Sequence, residues 1–206
     1  MDHVIHFAVP EFDGKVKMAT WLVSKCHTSG QREKYVSELQ KHVDIEVFGR
    51  CGLKPILPRS KAAYHNLLPP YFFYLSFENT RCKDYISEKF YNVYYSSAAV
   101  PVVFGPPKKD YEAVAPPHSF LHISDFANAQ ALADYMHYLA RNLTAYAEYF
   151  WWTTFYKVRE TDRACSLCDK LQQIRSGHVK THRIPDFNHY WTTEADCNNP
   201  DNAPWT

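Results

Sequence analysis

Apolar and polar positions along the chain switch between short continuous runs and longer three-to-four spacings. ATWLVS (19–24) is an apolar run closed by the polar stretch KCHTSG, which predicts a strand and a loop. In QREKYVSELQKHV, Tyr35, Val36, Leu39 and Val43 recur as one buried helix face, and IEVFG (45–49) predicts the next strand. Residues 50–70 hold four prolines and several basic residues, so they read as a loop with a short helix at SKAAYHNLL. FFYLSFEN (72–79), VPVVFG (100–105) and SFLHIS (119–124) predict three further strands. KDYISEKFYNVYYSS and NAQALADYMHYLARNL read as helices, and TAYAEYFWWTTFYKV continues helically. From about residue 160 periodicity is lost, and NNPDNAPWT reads as a frayed tail.

Strands separated by helices of ten or more residues predict an α/β fold, a parallel sheet flanked by helices. Ligands of such sheets sit beyond the carboxyl ends of the strands. Three loops therefore matter: SKCHTSGQR, FENTRCKDYISEK and FGPPKKDY.

Composition narrows the function classes. A 46% hydrophobic content supports a sizeable core, and 23 Lys+Arg against 22 Asp+Glu argues against broad attraction to nucleic acid or anionic membrane. Only six glycines occur, none in a GxGxxG or GxxxxGK[ST] pattern, so a glycine-built phosphate cradle is excluded. No long apolar segment predicts a membrane helix, and MDHVIHFAVPEFDG does not read as a signal peptide.

Charged groups must then do the work of an anion cradle. Tyr85, Glu88 and Lys89 stand at i, i+3 and i+4, which on a helix places phenol, carboxylate and ammonium on one face. A plain solvated first turn would look the same, since acidic residues favour helix N-termini anyway. Arg32 opens the helix after the first strand, where a guanidinium fork and free N–H groups suit phosphate. Together Arg32 and Lys89 describe a pyrophosphate clamp. No Asp-x-Asp triplet follows an apolar strand, so a nucleotide-sugar site here would neutralise diphosphate with side chains rather than a bound metal.

Six cysteines leave two readings open. Cys165-Ser-Leu-Cys168 with His178 and His182 has a zinc-like ligand set with a short gap, which would make a zinc-binding interaction module; in an oxidising lumen the same CxxC is a disulfide. Asn142-Leu143-Thr144 is a glycosylation sequon, meaningful only in a lumen.

The stretch from FYLSFENTRCKDYISEK through VPVVFG and SFLHISDF to LADYMHYL resembles the GDP-fucose-binding half of the alpha-1,3-fucosyltransferases. The family pattern runs FEN, DYxTEK, VPVVxG, SFIxxxDF and LAxYLxxL, with Ser87 here in place of Thr. The upstream WLVSKCHTSGQREKYVSELQKHVDIEVFGRCG and the later YAEYFWW and ACSLC match in the right order, over roughly residues 4–171.

The resemblance implies a Rossmann-like domain, the donor-binding half of a GT-B-like glycosyltransferase, over residues 1–160, with a CxxC segment and polar tail over 161–206. It implies inverting transfer of L-fucose from GDP-fucose to a glycan acceptor, on an N-glycan or other glycoconjugate, with no cofactor and no metal. Arg32 and Lys89 would hold the diphosphate, while Tyr85 and Glu88 would lie at the fucose and pyrophosphate. Glu78 and Asn79 would line the same pocket. Glu88, as the catalytic group, would stabilise the cationic sugar. Cys165 and Cys168 would form a disulfide, and the setting would be the Golgi, with membrane attachment only through an anchor outside this sequence.

Relatives also carry an upstream acceptor-binding domain that supplies the catalytic base. These residues alone would therefore bind donor yet transfer it very slowly, the alternative being a GDP-fucose-binding module without activity of its own. If they did turn over, His27 in the first loop would be the first candidate base. Lys25 stands in place of the usual Asn, Leu57 in place of a common Cys, and Ser96, Ser97 and Ala98 where relatives usually have a Gly.

Overall fold

The computed structural model describes residues 12, 14–55, 60–158, 163–181 and 183–197. Leu57, His182 and the tail at 198–206 lie outside the described residues. Strands and helices alternate in the order β1 (Lys17–Leu22), α1 (Arg32–Leu39), β2 (Ile45–Phe48), α2 (Lys61–Leu67), β3 (Tyr71–Phe77), α3 (Glu88–Ser96), β4 (Val100–Phe104), α4 (Lys108–Glu112) and β5 (Leu121–His122). After β5 come α5 (Ala129–Arg141), α6 (Leu143–Glu148), α7 (Arg163–Arg175) and the single-turn α8 (Phe187–His189).

The sheet has the order β2-β1-β3-β4-β5, and every pairing is parallel. Ala19 faces both Ile45 and Phe73, and Phe73 in turn faces Val100. All seven residues of β3 are buried, as a central strand covered on both faces requires. One face places Ala19, Trp21, Leu75, Phe77 and Phe104 in a core with Tyr35 and Leu39 of α1 and Leu132 and Met136 of α5. On the other, Tyr74 packs with Tyr64 and Val93, and Val103 with Phe90 and Tyr111. The expected Rossmann-like sheet flanked by helices is what the chain forms.

Three elements differ from expectation. The helix read from Lys83 starts only at Glu88, because residues 82–87 are committed elsewhere. Asp84 has φ 61° and donates its N–H to Asp110 Oδ2 (2.7 Å), and the Ser87 N–H donates to Glu78 (2.8 Å). The helical run at 144–158 divides into α6 and a 3₁₀ turn over Trp151–Thr154, where the Trp151 indole donates to the Pro117 carbonyl (2.9 Å). Beyond residue 160, α7 is helical although no apolar stripe marks it. Its Leu167 and Leu171 are exposed, so the helix rests on the propensity of its Ala, Arg, Leu, Lys and Gln residues.

Two disulfides join Cys26 to Cys51 and Cys82 to Cys197. Cys165 and Cys168 lie one turn apart on exposed α7 and are not joined to each other, unlike the expected pairing. Ser97 ends α3 in the left-handed region (φ 48°), a conformation that glycine adopts at least cost. Among the described residues no helix is long and apolar enough to cross a membrane.

Candidate functional site

In a 2-1-3-4-5 sheet the chain reverses its direction of travel between β1 and β3, and the crevice beyond those two carboxyl ends is the expected binding place. There the structure has a cavity of about 250 Å³. Its walls come from the end of β1 (Leu22–Lys25), the start of α1 (Arg32), the turn after β2 (Gly49), and Asn79, Tyr85, Glu88, Lys89 and Asn92 around the β3–α3 connection. Five of the six residues expected to hold the donor therefore line one cavity.

Glu78, the sixth, is wholly buried and stands behind the wall rather than in it. Its carboxylate accepts from the Ser87 N–H (2.8 Å) and the Ser87 hydroxyl (2.9 Å) and pairs with Lys89 Nζ at 2.9 Å. Gly105 packs against it: a Cβ there would lie 2.9 Å from the Glu78 Cβ, and the backbone has φ 153°. The acid thus fixes both the cap of α3 and the cation of its first turn. The Lys89 side chain is 17% exposed and the Glu88 side chain 58%, so at the helix start the carboxylate of Glu88 is the freer group.

Arg32 is 2% exposed. Its guanidinium donates to the Phe77 carbonyl at the end of β3 and to the Lys25 carbonyl (3.3 Å), and lies over the Trp21 ring at 5.4 Å. One fork thus fastens the ends of β1 and β3 together. Burial draws its pKa down, opposed by Glu78 and Glu33; arginine remains charged regardless. Its Nε is buried without a hydrogen-bond partner, and so is the Asn79 Oδ1. Both residues line the cavity, but these two atoms have no exposed surface, so they lie within its wall rather than on its open face. Gly30 lets the Asn79 backbone approach: its N–H donates to the Asn79 carbonyl (2.9 Å), and a Cβ would sit 2.9 Å from that oxygen.

Tyr85 reaches the cavity from the loop before α3, so the expected shared helix face with Glu88 and Lys89 is corrected to convergence from two elements. Burial raises its pKa, with help from Glu78 and Glu88. Asn92 and Gly49 were not singled out from the sequence. Asn92 follows Glu88 by four and Lys89 by three, the spacing of a shared helix face, and that was its available signal. His27 is exposed in the first loop and is not part of the cavity wall.

Elsewhere, Asn142 accepts from the Ala145 N–H (3.1 Å) as the cap of α6, and its Nδ2 donates to the Tyr138 hydroxyl (3.1 Å). Among the described residues no group of three or more His, Cys, Asp or Glu side chains is placed to hold a metal ion. The zinc reading needs His182, outside those residues, and Cys165, Cys168 and His178 are exposed.

A family model described as the C-terminal part of glycosyltransferase family 10 (fucosyltransferase) matches residues 12–189. Alpha-(1,3)-fucosyltransferase C of Drosophila melanogaster is 34% identical over 180 residues, 87% of this chain and 41% of the relative. Alpha-(1,3)-fucosyltransferase fut-1 of Caenorhabditis elegans is 35% identical over 202 residues, covering 93% and 46%. Alpha-(1,3)-fucosyltransferase 7 of Rattus norvegicus is 39% identical over 177 residues, covering 82% and 46%. The chain thus spans less than half the length of these relatives. In fold it is similar to a crystal structure of an alpha1,3-fucosyltransferase with GDP-fucose, with TM-score 0.62 and 22% identity over 84% of this chain and 50% of that one.

Proposed function

The chain belongs to glycosyltransferase family 10, the fucosyltransferases, and from that premise we propose that residues 1–160 form the GDP-fucose-binding unit of an alpha-1,3-fucosyltransferase, with residues 161–206 as an appended C-terminal segment. The observation that carries this reading is the cavity at the β1/β3 crevice, where Arg32, Lys89 and Lys25 bring positive charge.

Inverting transfer of fucose needs charge stabilised on the departing diphosphate and on an oxocarbenium-like sugar, and a base for the acceptor hydroxyl. Lys89 serves the diphosphate as a point charge. Arg32 adds its positive charge from the cavity wall while holding β1 to β3. Glu78 acts from behind, by aiming Lys89 and Ser87. Tyr85 borders the sugar end, and the exposed carboxylate of Glu88 faces the developing cation, an interaction stronger in the transition state than in the ground state. Glu88→Gln then lowers turnover more than donor affinity. None of the roles assigned to these residues is that of the base, so in this reading the chain alone transfers fucose to a glycan acceptor slowly or not at all, as a donor-binding module would. The reading includes the Golgi as the site of action, a sugar chain on Asn142, and a Cys165–Cys168 bond formed in an oxidising compartment. It requires no metal.

Photoaffinity labelling tests the location. An azido-guanosine diphosphate probe should label peptides from the β1–α1 and β3–α3 loops, with GDP-fucose suppressing the labelling. Label confined to other peptides would remove the reading.

A further inference from the structure

We infer that Trp191 is a positioning residue of the donor site: the C-terminal segment Asp186–Cys197 straps itself over the β3–α3 loop and holds the Tyr85 ring through Trp191. The inference rests on the proposed donor site, because Tyr85 matters only as part of that cavity.

Three contacts dock the strap at neighbouring positions. Cys197 is bonded to Cys82, which is fully buried. The Ala195 carbonyl, from another fully buried residue, accepts the Lys83 N–H at 2.8 Å. Trp191 meets Tyr85 edge-to-face, with ring centres 5.7 Å apart and planes at 87°. Residues 82, 83 and 85 are thus held by 197, 195 and 191 in turn. The strap is shaped for this by local signals. Asp186 caps α8 by accepting from the His189 N–H (2.9 Å), and a π-helical turn over Tyr190–Glu194 follows. Phe187 stacks on Trp191, with ring centres 6.0 Å apart. Upstream of it, α7 is exposed along most of its length.

The loop itself explains the need. Tyr85 precedes α3, so no helix backbone fixes its side chain, and Asp84 beside it is in the left-handed region. A phenol on such a loop samples several rotamers unless another group packs on it, and a binding site gains affinity when its groups are held in place beforehand. An edge-to-face partner supplies that restraint, to the extent of about three- to tenfold in an equilibrium.

The test reads Tyr85 directly. In the full chain labelled with 3-fluorotyrosine, the Tyr85 resonance is assigned by its loss in Tyr85→Phe. In Trp191→Ala that resonance should shift and its titration should move down toward the ordinary tyrosine range, while Trp191→Phe keeps both near the wild type. GDP-fucose affinity should fall about three- to tenfold in Trp191→Ala, recover in Trp191→Phe, and fall no further when Trp191→Ala is added to Tyr85→Ala. Cys197→Ser, which frees the strap without removing a ring, should change the resonance in the same direction, with the melting of the sheet core retained. An unchanged Tyr85 resonance in Trp191→Ala, or an equal affinity loss in the Tyr85→Ala background, would overturn the inference. A wild-type chain that binds no GDP-fucose would remove the donor reading instead, and the fluorine signal would still decide whether Trp191 fixes Tyr85.

Discussion

Lys89 Nζ lies 2.9 Å from a Glu78 carboxylate that has no exposed surface, so the cation at the mouth of the crevice is aimed by a buried acid from the preceding strand end. Breaking such a pair from one side strands the other charge, at a cost of about 3–5 kcal/mol. Glu78→Leu should therefore destabilise the fold by that amount in denaturant titrations. Glu78→Gln should cost less, because its amide oxygen still accepts the Ser87 N–H. Equal losses would mean that the hydrogen bonds to Ser87 contribute nothing and the lost charge accounts for the whole effect.

His122 predicts an acid-side loss of stability. Its Nδ1 accepts from the Ser124 N–H (3.1 Å) and its Nε2 lies 3.1 Å from the Pro106 carbonyl, so the neutral ring with hydrogen on Nε2 satisfies both. Burial lowers its pKa, opposed by the Pro106 carbonyl and Asp125. The unfolded chain then takes up a proton near the ordinary value of about 6.5, while the folded chain does so only at lower pH. Stability attributable to this group is fully present above pH 6.5 or so and declines as pH falls toward the folded value, by at most about 1.4 kcal/mol per pH unit. Urea titrations at pH 7.5 and 5.0 should show the gap between wild type and His122→Gln narrowing in acid. Parallel behaviour would contradict it.

The cysteine pattern is checked by peptide mapping without reductant. Protein made in an oxidising compartment should yield Cys26–Cys51 and Cys82–Cys197 peptides, the pairs present in the structure. Cys165 and Cys168 should also be linked there, since neighbours one helical turn apart fall within the Cα separations a disulfide tolerates. Recovery of both as alkylated thiols would remove that bond while leaving the other two untouched.

Much of this was legible in the chain itself. The five strands follow from runs such as FFYLSF and VPVVF, and the crevice follows from their parallel order, since a switch point has only one place to be. Arg32, Tyr85, Glu88 and Lys89 were legible as types at the right loops, and Asn79 only through the family resemblance. What stayed hidden was their inward or outward sense. Arg32 is a buried fastener rather than an open fork, and Glu78 sits behind the wall, because burial depends on what packs from other strands. The Tyr85 loop is diverted from helix by bonds to Asp110, in the following α4, and to Glu78, just past the end of β3, which helical periodicity does not register. For the same reason the partner of Cys82, separated by 115 positions, and the role of Trp191 could not be read from spacing.

Calorimetric titration of GDP-fucose into the 206-residue chain in EDTA tests the account most directly. Lys89→Ala alone would confuse ligand loss with a stranded buried acid, so the informative variant combines Lys89→Met with Glu78→Gln. The account predicts one equivalent bound by the wild type without added metal, and affinity about 10–100-fold weaker in the double variant, the worth of a charge-assisted hydrogen bond. Absence of binding by folded wild-type protein, or equal affinity in the double variant, would contradict it.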